Sequence, residues 1–352
     1  MIVINRKVNI LSLDRDRLLE WFKDRRMAPY RADQVLRWVY QHQADDFEQM
    51  TNLNKDLRKT LALHFSINRL EMVRVEASKD GSKKYLFRLP DGLFIESVLM
   101  PERSHYTLCI SSQVGCAQGC RFCLTGKGGF SRNLDRGEIV AQVRDIGQDI
   151  KGSLRLTNIV LMGMGEPLAN YNNVVSAVRT LTDGHSGLGY ANRRITLSTA
   201  GLVPQLIRLG NDTNINLAVS LNAADDPTRS RLMPINRRYP IKKLLEACRG
   251  YPLQSGRRVT FEYVLLKGVN DRPEDARQLA RLLRTQKAKI NIIPFNDHKG
   301  SEFFRPDETA ILKFQEILLE KKYTVIIRES KGRDISAACG QLRAATKGGQ
   351  IN

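Results

Sequence analysis

Hydrophobic positions change their rhythm twice along this chain. Over residues 12–65 they recur at steps of three and four, which predicts amphipathic helices. Residues 14–26 place Leu18, Leu19 and Phe22 on one face, and residues 31–42 place Val35, Leu36, Trp38 and Val39. Residues 54–65 do the same with Leu57, Leu61 and Phe65, and Pro29 separates the first two helices. Between 70 and 100 the period falls to two. Residues 70–75, 84–89 and 93–99 read as strands, with Pro90, Asp91 and Gly92 as a turn. Glu96 lies inside the last of them. On a solvent face it is an ordinary surface carboxylate; facing a pocket, burial would raise its pKa and suit it to proton transfer.

From Tyr106 onward, strands and helices alternate. Strands are predicted at 106–111, 158–162, 194–198, 214–221, 258–265 and 289–294, and helices near 135–150, 171–183, 202–210, 240–250 and 273–285. A helix at 307–321 and a strand at 323–328 precede an irregular segment holding Cys339. Repeated strand–helix units imply parallel pairing with right-handed crossovers. Six units fall short of a closed eight-fold barrel, so the expected fold is α/β, with a partial (βα)6 barrel over residues 105–346. A small helical accessory domain (1–68), suited to an RNA backbone or to a plain scaffold role, and a short β-rich connection (69–104) precede it, and a tail (347–352) follows. A doubly wound open sheet is the alternative.

In such folds ligands gather at the carboxyl ends of strands. The unusual residues fall there. Cys116, Cys120 and Cys123 follow the first strand, Gly163-Met-Gly-Glu-Pro the second, Ser198-Thr-Ala-Gly the third, Ser220-Leu-Asn the fourth and Asn296 the sixth. Three thiolates spaced C-x3-C-x2-C can reach one metal centre but are one short of four ligands. Either another residue completes the set or one position stays open for a small molecule. A zinc site completed by Cys109 or a histidine, of which His105 is nearest, is the competing reading. Zinc ligands usually come as two separated pairs, so the iron–sulfur reading is favoured. Glu166 offers a carboxylate suited to an ammonium group, and Ser198, Ser220, Asn222 and Asn296 offer hydrogen bonds to a ribose, carboxylate or base edge. Cys248, on a predicted helix, reads as a small buried hydrophobe. Cys109 and Cys339 can both be placed near the barrel mouth.

Composition adds one departure from the ordinary. The chain has 352 residues, 42% hydrophobic and 26% charged, but a net charge of +19. Residues 1–105 contribute +4 and the remainder +15. A field of that size favours a polyanion, although charge alone also serves solubility. Six cysteines in a chain this long suggest metal or redox chemistry rather than a disulfide framework. No apolar run approaches transmembrane length, and the N-terminal stretch has no apolar signal-like region, so a cytoplasmic location without membrane association is expected.

The segment from Ser111 through Lys127, Gly163-Met-Gly-Glu-Pro-Leu, Ser198-Thr-Ala-Gly, Leu232-Met-Pro-Ile-Asn and Ala338-Cys-Gly-Gln-Leu together resemble the RlmN family of radical S-adenosylmethionine (SAM) methyltransferases. The resemblance covers nearly the whole chain. Asn222 stands where many relatives have His, and Gly128 where many have Gln. The resemblance implies methylation of C2 of adenine in 23S rRNA and in tRNA, next to the anticodon. It implies a [4Fe-4S] cluster on Cys116, Cys120 and Cys123, and two SAM molecules per turnover. One SAM methylates Cys339, and the other yields the 5′-deoxyadenosyl radical that activates that methyl group. Cys109 is implied to resolve the RNA adduct through a transient disulfide with Cys339. Glu96 is implied as proton acceptor at C2, a role that Cys109 could take instead. The implied SAM contacts are Gly165, Glu166, Ser198, Ser220, Leu221, Asn222 and Asn296. A flavodoxin- or ferredoxin-type electron donor and a monomeric enzyme are expected. Competing functions are C8 methylation of the same rRNA adenine, as in the sister Cfr type, a non-catalytic metal-containing RNA-binding protein, and a radical SAM enzyme acting on a peptide or small molecule.

Overall fold

A computed structural model describes residues 7–150, 152, 154–298 and 300–343; the expected tail at 347–352 lies outside them. The N-terminal part pairs β1 (Val8–Asn9) with β2 (Phe65–Ser66) around α1 (Arg15–Asp24), α2 (Tyr30–Tyr40) and α3 (Lys55–His64). Asp14 and Asn54 cap α1 and α3, accepting hydrogen bonds from the amides of Arg17 (2.9 Å) and Leu57 (2.8 Å). Leu18, Phe22, Val35, Leu36, Val39, Leu57 and Leu61 are all buried, as their helical spacing predicts.

The chain then forms β3 (Glu71–Ala77), β4 (Lys83–Arg88), β5 (Phe94–Pro101) and β6 (Tyr106–Cys109), followed by a hairpin of β7 (Gln113–Gly115) and β8 (Phe130–Asn133) around α4 (Leu124–Lys127). Alternation follows: α5 (Arg136–Asp149), β9 (Leu156–Leu161), α6 (Tyr171–Thr182), β10 (Ile195–Thr199), α7 (Val203–Asp212) and β11 (Asn216–Ser220). Next come α8 (Asp226–Leu232), α9 (Ile241–Arg249), β12 (Val259–Leu265), α10 (Pro273–Leu282), β13 (Ala288–Pro294), α11 (Glu308–Glu320) and β14 (Thr324–Ile327).

Ten strands form one sheet in the order β3-β4-β5-β6-β9-β10-β11-β12-β13-β14. The seven from β6 to β14 run parallel, and β3 to β5 extend the sheet antiparallel. A doubly wound sheet reverses its strand order at a switch point. Here the order never reverses, so the sheet winds in one direction, as a partial barrel does. Leu217, Val219, Phe261, Tyr263, Ile290 and Ile292 join the main core. Alternation leaves the intervening residues on the inner face. Ser220, Glu262 and Asn291 there are register partners on β11, β12 and β13.

The two sheet edges do not pair, but the segment after β14 links them at the mouth. The Gly332 amide donates to Asp80 (2.9 Å), and Asp334 accepts from Ser78 Oγ (2.5 Å) and the Lys79 amide (3.1 Å) in the β3–β4 turn. The N-terminal part docks on α5. Buried Arg136 donates to the carbonyls of Leu11 and Leu13, and buried Arg144 donates to the Ala44 carbonyl (2.9 Å) and Asp45 (2.8 Å).

Candidate active site

The three-cysteine loop hangs between the arms of the β7–β8 hairpin. Its base needs glycine: a Cβ on Gly115, where φ is +76°, would lie 2.0 Å from the Gly129 carbonyl oxygen. That close crossing lets the Cys116 amide donate to Gly129 O at 2.7 Å. Cys120 and Phe122 both pack against the small apolar cluster that includes Ala200, Leu232 and Met233, and the Arg121 amide donates to Leu232 O (3.0 Å). Burial pushes the Cys116 thiol up to about 12 and the Cys120 thiol well above its ordinary value. The three thiols, together with Glu166, act on one another electrostatically. Among the described residues no three His, Cys, Asp or Glu side chains converge in metal-ligand geometry. A cluster here would draw the loop's thiols together and take the place of their protons.

His105, the nearest histidine in the zinc reading, sits at the opposite end of β6 with its Nε2 against Asn158 Nδ2 (2.8 Å). It cannot complete the site. Cys109 closes β6 on the inner face, buried, with its thiol raised by burial and by the nearby Cys339. Cys248 is buried on α9, as expected for a small hydrophobe.

Cys339 is exposed at the surface of its loop, and the protein packed around it pushes its thiol up to about 11. Its loop is tied down on both sides. Gly340 O accepts from the Leu124 amide (2.7 Å) and Leu342 O from Thr125 Oγ1 (2.6 Å), both on α4 of the cysteine loop. On the other side the Arg343 amide donates to Glu96 Oε2 (2.8 Å). Glu96 is buried, not solvent-facing, with Lys84 Nζ 3.5 Å away. Its pKa is raised by desolvation, which outweighs the pull of Lys84. Cys109, Cys339, Glu96 and the cysteine loop therefore meet at the mouth.

Among the other predicted residues, several are engaged with protein. Glu166 accepts from the amides of Leu168 (3.0 Å) and Ala200 (2.7 Å), and burial raises it to about 7. Two of its lone-pair directions are therefore already used. Gly165, at φ +101°, would put a Cβ 2.5 Å from Gln113 Cβ, so its glycine serves close loop packing. Asn222 is buried with φ +58°, a left-handed conformation that Asn and His tolerate better than most residues. Its Oδ1 accepts from the Val264 amide (2.8 Å) and its Nδ2 donates to Met233 Sδ (3.2 Å). Leu221 is fully buried, leaving its backbone as the polar part. Ser198 and Ser220 are half-buried on the inner face. Asn296 differs: its Oδ1 is buried without a partner among the described residues, as is Asn291 Oδ1 beneath it. Buried acceptors rarely stay empty-handed, so both point to a missing donor.

Sequence reasoning missed three buried participants. Gln113 Oε1 accepts from the Glu166 amide (2.8 Å). Glu262, raised to about 7 by burial, faces Asn291 (2.9 Å) on the inner wall. Arg229 is fully buried behind Ala200 and Ser220. Only Glu262 had a visible signal, a carboxylate inside an apolar strand.

Residues 8–67 match the ribosomal RNA large subunit methyltransferase N-terminal domain, and residues 110–283 match the radical SAM superfamily. The dual-specificity RNA methyltransferase RlmN of Desulfosudis oleivorans is 56% identical, covering 96% of this chain and 91% of that protein. Its counterpart in Geotalea uraniireducens is 51% identical over 96% and 97% respectively. The crystal structure of a radical SAM methyltransferase from Sphaerobacter thermophilus superposes with a TM-score of 0.89 at 46% identity, covering 96% of this chain and 99% of that one. This chain therefore belongs to the RlmN family of radical SAM methyltransferases.

Proposed function

We propose that this protein methylates C2 of adenine in 23S rRNA and in tRNA, next to the anticodon. The observation that carries the reading is the Cys339 loop, hydrogen-bonded to the cysteine loop through Leu124 and Thr125 and to Glu96 through Arg343. C2 of adenine is an electron-poor carbon that does not attack a sulfonium methyl group, so the methyl must be delivered as a radical. Cys116, Cys120 and Cys123 would hold a [4Fe-4S] cluster, which with bound SAM would supply that reactivity as a 5′-deoxyadenosyl radical. The chain supplies the rest. Cys339 carries the methyl group as an S-methylcysteine, and two SAM molecules are used per turnover. Cys109, buried beside it, frees the product: its sulfur attacks that of Cys339, the disulfide forms as the bond from Cys339 sulfur to the transferred carbon breaks, and that carbon takes the electron pair and a proton. Glu96 takes the C2 proton, aided by desolvation that raises its basicity.

Gly165, Glu166, Ser198, Ser220, Leu221, Asn222 and Asn296 are assigned to SAM. The unpartnered Asn296 Oδ1 fits a donor on that molecule, whereas the backbone groups of Leu221 and Asn222 already have protein partners in Glu262, Arg229 and Asn270. Residues 1–68 form the accessory RNA-binding domain, 69–104 the connection and 105–346 the catalytic core. The basic surface receives the RNA backbone. The adenine must be displayed outside its helix, because an A-form duplex hides base edges. An external one-electron donor of the flavodoxin or ferredoxin type serves a monomeric, cytoplasmic enzyme. Among the described residues no helix is long and apolar enough to cross a membrane.

Mass spectrometry of rRNA and tRNA nucleosides from a deletion strain tests the reading. Loss of 2-methyladenosine from both pools is the expected result. Unchanged 2-methyladenosine without a redundant enzyme overturns it, and loss of 8-methyladenosine instead assigns the C8 reaction.

A further inference from the structure

Among the described residues, two arginines have no solvent exposure, Arg144 and Arg229. Arg144 has carboxylates beside it, Asp45 at 2.8 Å and Asp145 at 3.5 Å. Arg229 has none in ion-pair distance among the described residues. Its Nε donates to Leu221 O (3.0 Å), one terminal nitrogen to Asn236 Oδ1 (2.8 Å), and the other to Ala200 O (2.7 Å) and Ser220 O (3.1 Å). The carboxylate of Asp226 is linked to it only through Asn236, whose Nδ2 donates to Asp226 Oδ1 at 2.9 Å. Carbonyl dipoles satisfy the guanidinium's hydrogens but leave its charge uncompensated, and an unpaired buried charge costs several kcal/mol. Such a group persists where something negative is expected beside it.

The place of that negative charge follows from the packing. Arg229 lies on α8, whose last residue, Leu232, accepts from the Arg121 amide. Leu232, Met233 and Ala200 belong to the small apolar cluster against which Cys120 packs. Arg229 thus stands behind Cys120, and its positive charge opposes the rise that burial imposes on that thiol. Glu166, Cys116 and Cys123 act on Cys120 with the opposite sign. Burial lowers Arg229 itself only to about 10, so it stays charged at neutral pH.

We propose that Arg229 is a positioning and potential-setting residue for the iron–sulfur centre. Its buried charge offsets the negative charge of the thiolate-bound cluster next to Cys120. Its fork holds the Ala200, Ser220 and Leu221 carbonyls at the strand ends assigned to SAM. A [4Fe-4S] core with three thiolates gains one further negative charge when it accepts one electron from the donor. A fixed cation beside it favours the reduced form and raises the potential. This rests on the cluster assignment of the preceding section. Iron and sulfide content of the wild-type protein, with 5′-deoxyadenosine released from SAM on dithionite reduction, tests that assignment separately.

The test is the midpoint potential of the cluster in anaerobically reconstituted protein, followed by electron paramagnetic resonance without SAM. In Arg229→Met, which removes the charge and keeps the bulk, reduction should become at least tenfold less favourable, a fall of about 59 mV or more. A loaded Arg229→Met protein with the wild-type potential overturns the proposal. Should Arg229→Met fail to hold a cluster, Arg229→Gln decides, because it keeps hydrogen-bond donors for the surrounding carbonyls and removes the charge. Its potential should fall by the same margin, and a loaded Arg229→Gln protein with the wild-type potential overturns the proposal.

Discussion

Glu166 and Arg229 grip one residue from opposite sides. The carboxylate of Glu166 accepts the Ala200 amide at 2.7 Å, and the guanidinium of Arg229 donates to the Ala200 carbonyl at 2.7 Å. A single residue after β10 is thereby locked between an acid on the β9 loop and a base on α8. Charge-assisted hydrogen bonds of this kind contribute about 1.5–3 kcal/mol each. Glu166→Ala should lower the unfolding free energy by about that amount and weaken SAM binding, whereas Glu166→Gln, which keeps one acceptor, should lose less. Denaturant titration together with calorimetric SAM binding checks this; equal losses in both variants would contradict it.

Cys339→Ala should abolish RNA methylation and leave iron and sulfide content unchanged. The loop's ties to the cysteine loop and to Glu96 run through backbone atoms of Gly340, Leu342 and Arg343, which the substitution leaves in place. Retained methylation of an rRNA fragment would refute the methyl relay.

Glu96→Gln should reduce methyl transfer by about 10²- to 10⁴-fold, the usual contribution of a positioned base. In the wild type the carboxylate acts only when ionised, so the rate should fall as pH drops through the raised pKa of Glu96. The variant should lack that acid limb. A rate within tenfold of wild type shifts the role to Cys109.

Glu262 supplies a stability signature. Burial raises it from 4.5 to about 7, so the folded state binds a proton that the unfolded chain releases between those values. The sign follows from linkage: stability from this group is present below about pH 4.5 and is lost as pH rises to about 7. The loss amounts to about 3 kcal/mol at most. Glu262→Gln, still able to accept from Asn291, should flatten that part of the profile in denaturant titrations. Parallel profiles would remove Glu262 as the titrating group.

Gly115→Ala should unfasten the hairpin that holds the cysteine loop. The added Cβ has 2.0 Å to the Gly129 carbonyl oxygen and a left-handed backbone to adopt. Iron content after reconstitution should drop severalfold while far-ultraviolet circular dichroism remains near wild type. Full iron loading would show that the hairpin base has slack.

Local pattern was enough for much of this protein. The three N-terminal helices, the strand–helix alternation and the clustering of Cys116, Gly165, Ser198, Ser220 and Asn296 at strand ends are all readable from sequence. They are set by periodicity, turn chemistry and the parallel topology that alternation imposes. The three-cysteine spacing reads as a candidate metal site for the same reason, since its thiols are neighbours in the chain. What spacing could not settle was anything requiring distant segments to meet. The β7 and β8 strands are too short to show a period, so the hairpin around the cysteine loop went unread. Whether Glu96 faced solvent was open until the Arg343 amide and Lys84 were placed against it. Glu166 looked free to receive an ammonium group, but tertiary packing gave two of its acceptor sites to backbone amides. Arg229 sits in a polar, charged stretch that reads as a solvated helix end. Only the fold places it, without exposure, behind Cys120, because burial is a property of what packs over a residue and not of its own neighbours in sequence.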